Sequence, residues 1–454
     1  MAACYPTALV PCETMKARGS GIVRRIHPSP EMRFAKSLPS RDPDEIVACI
    51  LDADRRGELY PLYHELRRIA PAHRARVAGL PSGCWVLTRF RDVDRVARSA
   101  AAVNDPETAK VFDYDGAGGA FYQVMRNAML FLDKASHDRV RRLVFKAFTP
   151  AAVAPLAALT EEVASELLDA ALDRGLSEMD LVSQFAYPLP LRAIMRLLGL
   201  PHDARASIEE WAWDFARAGD PMSATPEIIA RGNEAAKQFH DFFDRVIEER
   251  RTQPGDDIIS ALVMAEDEGG RLSREEAIST CVLLLQAGHE TTADLLGNAI
   301  VALFRHPDEL ARLLGDPALL PPAIDELLRY DTSVQMSMRL IADDLRVAAG
   351  SAGAAGVTLP AGSMAALVYG AANRDPDVFA DPDRLDLGRN PPHLAFSAGV
   401  YFCLGNALAR AELQAGLRVL LDRLPTLRPA GETFVQRRTA RLRGPQELRV
   451  AWDP

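Results

Sequence analysis

The sequence is poor in aromatic residues and has no long apolar run. Phe, Trp and Tyr make up 7% of the 454 residues, and no apolar stretch reaches the ~18 residues that a membrane-spanning helix needs. Acidic residues outnumber basic ones, so the net charge is −9 and there is no basic surplus of the kind that binds nucleic acid. We therefore expect neither a membrane nor a nucleic-acid partner.

Cysteine is also scarce. The six cysteines are spread over the chain and none belongs to a C-x-x-C pair, which argues against a disulfide framework and against a zinc site. The nine histidines form no H-E-x-x-H or similar cluster. What the chain does have is 48% apolar residues over a length that allows a large core.

One cysteine stands in a distinctive setting, the stretch F-S-A-G-V-Y-F-C-L-G from Phe396 to Gly405. A helical leucine pattern follows it, so Cys403 is predicted at a helix N-terminus, where the macrodipole lowers the pKa of a thiol. Gly399 permits a tight turn, and Gly405 lets a flat cofactor approach the backbone closely. A thiolate in this setting suits axial ligation of a haem iron. The alternative is a buried structural cysteine.

The spacing F-x-x-G-x-x-x-C-x-G resembles the haem-ligand signature of the cytochrome P450 family, and the resemblance extends from about Asp42 to the C-terminus. It implies that Cys403 is the metal ligand and that Phe396 and Gly405 contact the cofactor. Two positions depart from the family pattern. Ser397 stands where glycine is usual, and Tyr401 stands where a histidine or arginine usually meets a haem propionate. Tyrosine could donate a hydrogen bond there but brings no positive charge.

The resemblance also implies the architecture and the cofactor. We expect a mainly α fold with minor β-sheets, the cytochrome P450 fold, in a single large haem-containing domain over residues 41–454. Residues 1–40 are basic and lack a helical stripe, so we expect an N-terminal extension there. The implied cofactor is haem b (iron protoporphyrin IX). Microsomal members of the family carry an N-terminal anchor that is not seen here, which favours the bacterial, cytoplasmic type.

Three basic residues are candidates for binding the cofactor's propionates. His137 and Arg141 are four residues apart, so a helix would place them on one face. By itself H-x-x-x-R is more often a solvated helix face. The resemblance implies that both residues pair with a haem propionate as cationic donors, and that Arg339, in a predicted extended segment, serves the second propionate.

A long apolar helix carries the candidate catalytic residues. The capping-box sequence S-R-E-E at 273–276 predicts a helix that extends to about Phe304. In its middle, A-G-H-E-T-T begins at Ala287 and buries polar side chains, which is costly without partners. A structural kink is one explanation. The resemblance implies instead that Glu290 and Thr291 are an acid–alcohol pair beside bound dioxygen, with Glu290 relaying protons, and that Ala287 contacts the cofactor.

A further motif is assigned to structure rather than to chemistry. Glu326 and Arg329 form an E-x-x-R sequence, which alone is a common helix-surface pattern. Its place before the cysteine loop matches the family's buried pair, which a later arginine completes. We expect Arg384 to be that arginine.

Several residues are candidates for contact with an apolar substrate. Leu283 and Gln286 come one turn before the A-G-H-E-T-T segment, and Gln286 would be a polar anchor in a chamber that we expect to be largely apolar. Met336 and Ser337 would face the substrate from the extended segment. The strand expected over 434–438 leads to a tip that could reach the same pocket.

The implied function is monooxygenation of an apolar small molecule with O2, by hydroxylation or epoxidation, with secondary metabolism as one setting. No G-x-G-x-x-G follows a predicted strand, so electrons should come from an external ferredoxin and its reductase. Arg139, Arg142 and Lys146 could meet such a donor, or be solvated. Three alternatives stay open: a peroxide-driven haem-thiolate enzyme that does not need Thr291, a haem-binding sensor or carrier without turnover, and a helical scaffold without haem.

Overall fold

The computed structural model describes residues 42–453 with internal gaps. The gaps are residues 82, 107, 115, 146–147, 149, 221–223, 268–271, 348–355 and 432–433, and the side chains of 150–155 and 265–267 are also outside the description. The extension expected over residues 1–40 lies outside the described residues, as does Lys146.

Most of the described chain is helical. The α-helices in chain order are α1 Pro43–Leu51, α2 Leu59–Ile69, α3 Phe90–Arg98, α4 Ala120–Asn127, α5 Lys134–Phe145, α6 Pro150–Leu172, α7 Pro188–Leu197, α8 Arg205–Ala218, α9 Pro226–Thr252, α10 Ile258–Asp267, α11 Arg274–Arg305, α12 Pro307–Gly315, α13 Leu320–Tyr330, α14 Tyr369–Ala372 and α15 Asn406–Arg423. No helix in the described part of the chain combines the length and the apolar character of a bilayer span.

Small sheets lie beside these helices. The strands in chain order are β1 Ala72–Ala75, β2 Cys84–Leu87, β3 Ala102–Val103, β4 Glu178–Asp180, β5 Met336–Ile341, β6 Leu345–Val347, β7 Val357–Leu359, β8 Met364–Val368, β9 Arg428–Pro429, β10 Val435–Gln436, β11 Pro445–Glu447 and β12 Arg449–Ala451. The largest sheet has the order β1-β2-β8-β5-β3 and is antiparallel except for the β2–β8 pair. Smaller sheets join β4-β12-β9, β6-β7 and β10-β11. The expected mainly α fold with minor β-sheets is confirmed.

The central helix is α11, and its first turn explains where it begins. The Ser273 hydroxyl accepts a hydrogen bond from the Glu276 N–H at 3.2 Å, and the Glu276 carboxylate accepts one from the Ser273 N–H at 2.8 Å. This is the predicted capping box. The helix has 32 residues and packs against α4, α7, α9 and α15, so its middle lies deep in the core.

The N-terminal part contains a hairpin and two helices. In the hairpin, β1 and β2 pair antiparallel with Ala72 opposite Leu87. The two helices, α1 and α2, follow Asp42. The Asp52 side chain accepts a hydrogen bond from the Asp54 N–H at 2.9 Å, so a new cap ends α1 and starts a short turn before α2.

The E-x-x-R pair is buried as expected, but a different arginine completes it. Glu326 and Arg329 are fully buried and joined by two hydrogen bonds, of 2.7 and 2.9 Å. Arg384 contributes only its backbone carbonyl, which accepts from Arg329 at 3.3 Å. The Asp386 N–H donates to Glu326 at 3.1 Å, and the turn after it brings the Arg389 Nε within 3.3 Å of the same carboxylate. The prediction of Arg384 was therefore wrong.

Candidate active site

A large cavity beside the cysteine loop gathers residues that are far apart in the sequence. Its volume is about 900 Å³, at the upper end of the roughly 300–1,000 Å³ typical of small-molecule sites. Eight of the nine predicted site residues line it: His137, Arg141, Ala287, Thr291, Arg339, Phe396, Cys403 and Gly405. The ninth, Glu290, precedes Thr291 on α11 and is described below.

The loop before α15 has the geometry that a close-lying flat group needs. Gly399 has φ +67°, and a Cβ there would come 2.5 Å from the Ala97 carbonyl oxygen, so the turn requires glycine. The Cys403 N–H donates to the Phe396 carbonyl at 3.0 Å and closes the loop. A Cβ built on Gly405 would meet no atom within 4 Å. The cavity therefore extends up to the backbone beside the cysteine.

The sulfur atom of Cys403 lies in a desolvated position. Burial raises the pKa of the Cys403 thiol, and the Gly405 N–H and the charges of Arg141 and Arg410 only partly oppose this effect. The prediction of a lowered pKa is wrong for the polypeptide alone, because α15 begins at Asn406 and desolvation outweighs its N-terminal field. A metal ion deprotonates a coordinating thiol outright, so ligation rather than the helix would supply the thiolate.

Two of the three predicted propionate partners contact one aromatic ring, and the third binds the residue that follows it. The Arg339 guanidinium lies 4.5 Å from the centroid of the Tyr401 ring, and the His137 ring lies 4.8 Å from it. Arg141 donates to the Phe402 carbonyl at 2.7 Å, next to Tyr401. Burial, the largest cause, lowers the pKa of His137, and the side chain of Asp138 opposes this effect.

The two departures from the expected loop sequence have structural explanations. Tyr401 accepts a hydrogen bond from the Asn104 N–H at 2.7 Å and donates to the Asn104 carbonyl at 3.4 Å, so its hydroxyl already has a partner and its ring positions Arg339. Ser397 has φ +60°, a left-handed conformation that costs a non-glycine residue about 1–2 kcal/mol. Its hydroxyl accepts from Tyr369 at 2.8 Å, which ties the loop to α14.

These residues fit a haem. The thiol faces the cavity, and the space at Gly405 is open for a flat ring. Arg339 is buried, and its Nε has no hydrogen-bond partner among the residues described. A buried guanidinium N–H without an acceptor is costly, and a carboxylate of the cofactor would satisfy it.

The wall formed by α11 holds the candidate alcohol. The Thr291 hydroxyl donates to the Ala287 carbonyl at 2.8 Å, and the Thr292 hydroxyl donates to the Gly288 carbonyl at 3.2 Å. The helix is continuous through this segment. A Cβ on Gly288 would come 3.2 Å from side-chain atoms of Ile194, so glycine here lets α7 pack closely on α11.

Known proteins share this sequence and architecture. A family model described as Cytochrome P450 matches residues 220–433. The putative cytochrome P450 133B2 of Xylella fastidiosa is 37% identical over 393 residues, which cover 86% of this chain and 95% of the relative. The 6-deoxyerythronolide B hydroxylase of Saccharopolyspora erythraea is 34% identical over 408 residues, covering 87% and 96%. The crystal structure of CalO2 matches with a TM-score of 0.81 and 35% identity over 89% of this chain and 98% of that one.

The chain belongs to the cytochrome P450 family. It is therefore a haem-thiolate monooxygenase, an oxidoreductase that inserts one oxygen atom of O2 into an organic molecule. Such an enzyme requires haem, a small-molecule substrate and a redox partner.

In this P450 the candidate relay acid has partners that the sequence analysis missed. Glu290 is ion-paired with Arg437, whose Nε lies 2.9 Å from the Asp294 carboxylate. Burial raises the pKa of Asp294, and the charge of Arg437 only partly offsets this. Two carboxylates four residues apart on one face of an apolar helix require a cation between them. That spacing was a signal in the sequence, but it could not identify which arginine would supply the cation.

A third acid, also missed, lies on the other side of α11. Glu412 on α15 lines the cavity and is 1% exposed. Neither carboxyl oxygen has a hydrogen-bond partner in the described structure, since the nearby Thr292 hydroxyl donates to Gly288. Burial raises the pKa of Glu412 well above its usual range, and Thr292 offsets only part of this. The buried position of Glu412 therefore favours its protonated, neutral form.

The predicted substrate contacts of the P450 divide into two groups. Leu283, Met336 and Ser337 line the cavity, as expected. Gln286 was predicted wrongly, because its amide lies on the face of α11 towards α8, where it donates to the Ala212 carbonyl at 3.4 Å. The tip after β10 does reach the cavity, where Ala440 and Arg441 lie.

The raised pKa of Glu412 predicts a pH-dependent effect of the Glu412→Gln variant on stability. The folded protein keeps the Glu412 proton at pH values above about 4.3, the pKa of a glutamate in the unfolded chain. The contribution of Glu412 to the unfolding free energy is therefore complete below that pH, and it is lost as the pH rises towards the pKa of Glu412 in the folded protein. Glutamine cannot ionise. We expect the unfolding free energy of the variant, relative to the parent, to rise by about 1–3 kcal/mol between pH 5 and pH 8.

Urea denaturation at several pH values measures this difference. Glu234→Gln, on the exposed side of α9, is the matched control and should give a difference from the parent that is the same at every pH. A Glu412→Gln difference that is equally flat would contradict the assignment of a neutral acid.

Proposed function

We propose that this P450 binds haem b through Cys403 and oxidises an apolar organic substrate, with Thr291 and Glu290 supplying protons and a ferredoxin supplying electrons. The observation that supports this most directly is that one cavity contains the Cys403 thiol, the Thr291 hydroxyl and the buried Arg339 guanidinium. In the overall reaction the substrate, O2, two electrons and two protons give the hydroxylated or epoxidised product and water. Secondary metabolism is the proposed setting, and one relative is named for the hydroxylation of 6-deoxyerythronolide B.

One cavity residue would bind the haem iron, and others would bind the haem propionates. Bound through a thiolate, haem supplies the dioxygen chemistry, since the sulfur pushes electron density towards the iron and favours O–O cleavage. Arg339, Arg141 and His137 would hold the propionates, the arginines as cations and His137 as a neutral N–H donor. The chain has no C-x-x-C-H sequence for covalent attachment, which favours haem b.

Protons would reach the cavity along α11. Thr292 and Thr291 both line the cavity. Thr291 would turn its hydroxyl proton from the Ala287 carbonyl into the cavity by rotation of its side chain. Glu290 is next to it but is held by Arg437. To carry a proton, Glu290 must exchange this ion pair for water. Asp294 can take over Arg437 during that exchange, because its carboxylate already lies 2.9 Å from the guanidinium.

Electrons would enter at the surface formed by Phe402 and α5. Phe402 is next to Cys403 and is 37% exposed. Arg142 is exposed on α5, the helix whose Arg141 contacts the Phe402 carbonyl. Arg139 was also a candidate, but it is ion-paired with Glu276 at 2.5 Å and belongs to the α5–α11 contact. An exposed aromatic beside a cation fits an acidic ferredoxin.

The proposal includes a cytoplasmic location without a nucleic-acid or membrane partner. In the described residues Cys49, Cys84, Cys281 and Cys403 are free thiols. Unpaired thiols are typical of a reducing compartment. The acidic net charge of −9 gives no support to a nucleic-acid partner.

The Thr291→Ala variant tests the proton role. A positioned proton donor typically contributes about 10²- to 10⁴-fold, so we expect product formed per electron pair to fall by about ten-fold or more. The electrons should leave as hydrogen peroxide. The measurement compares NADH consumed, product and peroxide, with a compound that shifts the spin state of the iron.

Thr291→Ser keeps the hydroxyl and is the matched control, which should retain most of the coupling. Unchanged coupling in Thr291→Ala with reductant and O2 would contradict the role of Thr291. It would favour the peroxide-driven alternative if added peroxide also supported full turnover.

The Arg142→Glu variant tests the donor surface. Reversing a charge at an interface mainly slows association, and we expect roughly ten-fold slower reduction by a [2Fe–2S] ferredoxin at low salt. Reduction by dithionite should not change. Stopped-flow absorbance measures both rates. Arg449→Glu, an exposed arginine on β12, is the control and should behave like the parent. Equal ferredoxin rates in the parent and in Arg142→Glu would refute this docking surface.

A further inference from the structure

The tip between β10 and β11 is rich in arginine, and one of these arginines differs from the rest. The segment 437–443 contains four arginines. Three of them bind carboxylates: Arg437 binds Glu290 and Asp294, Arg438 binds Asp54, and Arg443 binds Asp331. The fourth, Arg441, lines the cavity instead.

Arg441 lacks a counter-ion in the structure as described. No carboxylate of the described residues comes within the 4.0 Å that defines an ion pair with its guanidinium. Asp220 also lines the cavity, and its carboxylate accepts a hydrogen bond from the Ala440 N–H at 3.1 Å. The Arg441 guanidinium lies over Gly219, which has no side chain. Its Nη2 is 3.7 Å from the position that a Cβ on Gly219 would take.

An arginine without an ion pair in a largely apolar chamber suits recognition of an anion. The chamber that Arg441 lines also contains Leu51, Leu80 and Met364, which offer no hydrogen-bond acceptor in their side chains. Arginine presents planar paired N–H donors that match a carboxylate, and such bonds are strongest where water is excluded.

We infer that Arg441 binds a carboxylate of the substrate, so that the substrate class is an amphipathic organic acid with its apolar body in the chamber. This inference rests on the proposed function, since it names the substrate of the same cavity. It makes Arg441 a specificity-determining residue. It also gives the carbon skeleton a fixed end, so that the carbon presented to the reacting centre depends on the distance from the carboxylate.

Matched acids and esters test the inference with the haem-loaded protein. The probes are a series of straight-chain fatty acids, with myristic acid as the first member, and their methyl esters, titrated at pH 8 by spin-state shift and by calorimetry. A charge-assisted hydrogen bond should make the parent bind its best acid about ten- to one-hundred-fold more tightly than the matching ester. In Arg441→Gln the acid should fall to the level of the ester, while the ester keeps its affinity.

Two further variants sharpen the result. Arg441→Glu should reject the acid and bind tetradecylamine instead. Arg438→Gln, a neighbouring arginine whose side chain is 69% exposed and paired on the surface, is the control and should bind both probes like the parent. Equal affinity of the parent for acid and ester, equal loss of both probes in Arg441→Gln, or no binding of any acid in the series would overturn the inference. If these samples keep a thiolate-type spectrum, any of these results contradicts the inference about Arg441 and leaves the proposed function standing.

Discussion

The proposed bond between the Cys403 sulfur and a haem iron is the interaction on which the rest of this P450 depends. Burial works against the thiolate, since it raises the pKa of the thiol, and neither the helix that follows nor the nearby arginines reverse this. The loop therefore provides a position for the sulfur rather than a preformed anion. Ionisation of the cysteine and binding of the metal become one event, as in other metalloproteins whose ligands must lose a proton.

The remaining charged groups near the cavity fall into two kinds. Glu290, Asp294 and Arg437 form a compensated cluster, in which one guanidinium lies between two carboxylates of α11. Glu412 has no such partner and avoids the cost of a buried charge by keeping its proton. The same helix thus has an ion-paired cluster on one face and an acid without an ion pair against another. The ion-paired cluster can exchange partners by moving a side chain, which suits it to proton delivery.

The sequence predicted the parts of the site that depend on local pattern. The cysteine loop and the capping box of α11 follow from residue spacing, and each was found where it was expected. The errors have a common physical origin. Arg389 instead of Arg384, Gln286 facing α8 and the partnership of Arg437 with Glu290 all depend on how a loop or an edge hairpin lies against a distant helix. Periodicity does not encode that placement.

Charge states were the other quantity that the sequence could not give. The expected thiolate of Cys403 and cation of His137 were inferred from residue type and helix position, whereas burial moves both groups towards their neutral forms. Burial follows from the assembled fold and not from neighbours in the chain. The family resemblance transfers the positions of the candidate ligands, but it does not transfer their desolvation.

The most direct test of this account is the reduced, carbon-monoxide-bound spectrum of the parent, Cys403→Ser and Cys403→His proteins at equal haem content. Thiolate ligation predicts that the parent has a Soret band well to the red of the imidazole-type position. The histidine variant should keep haem with an imidazole-type band, and the serine variant should lose the red-shifted band. A parent band at the imidazole-type position, or an unchanged red-shifted band in Cys403→Ser, would contradict the account.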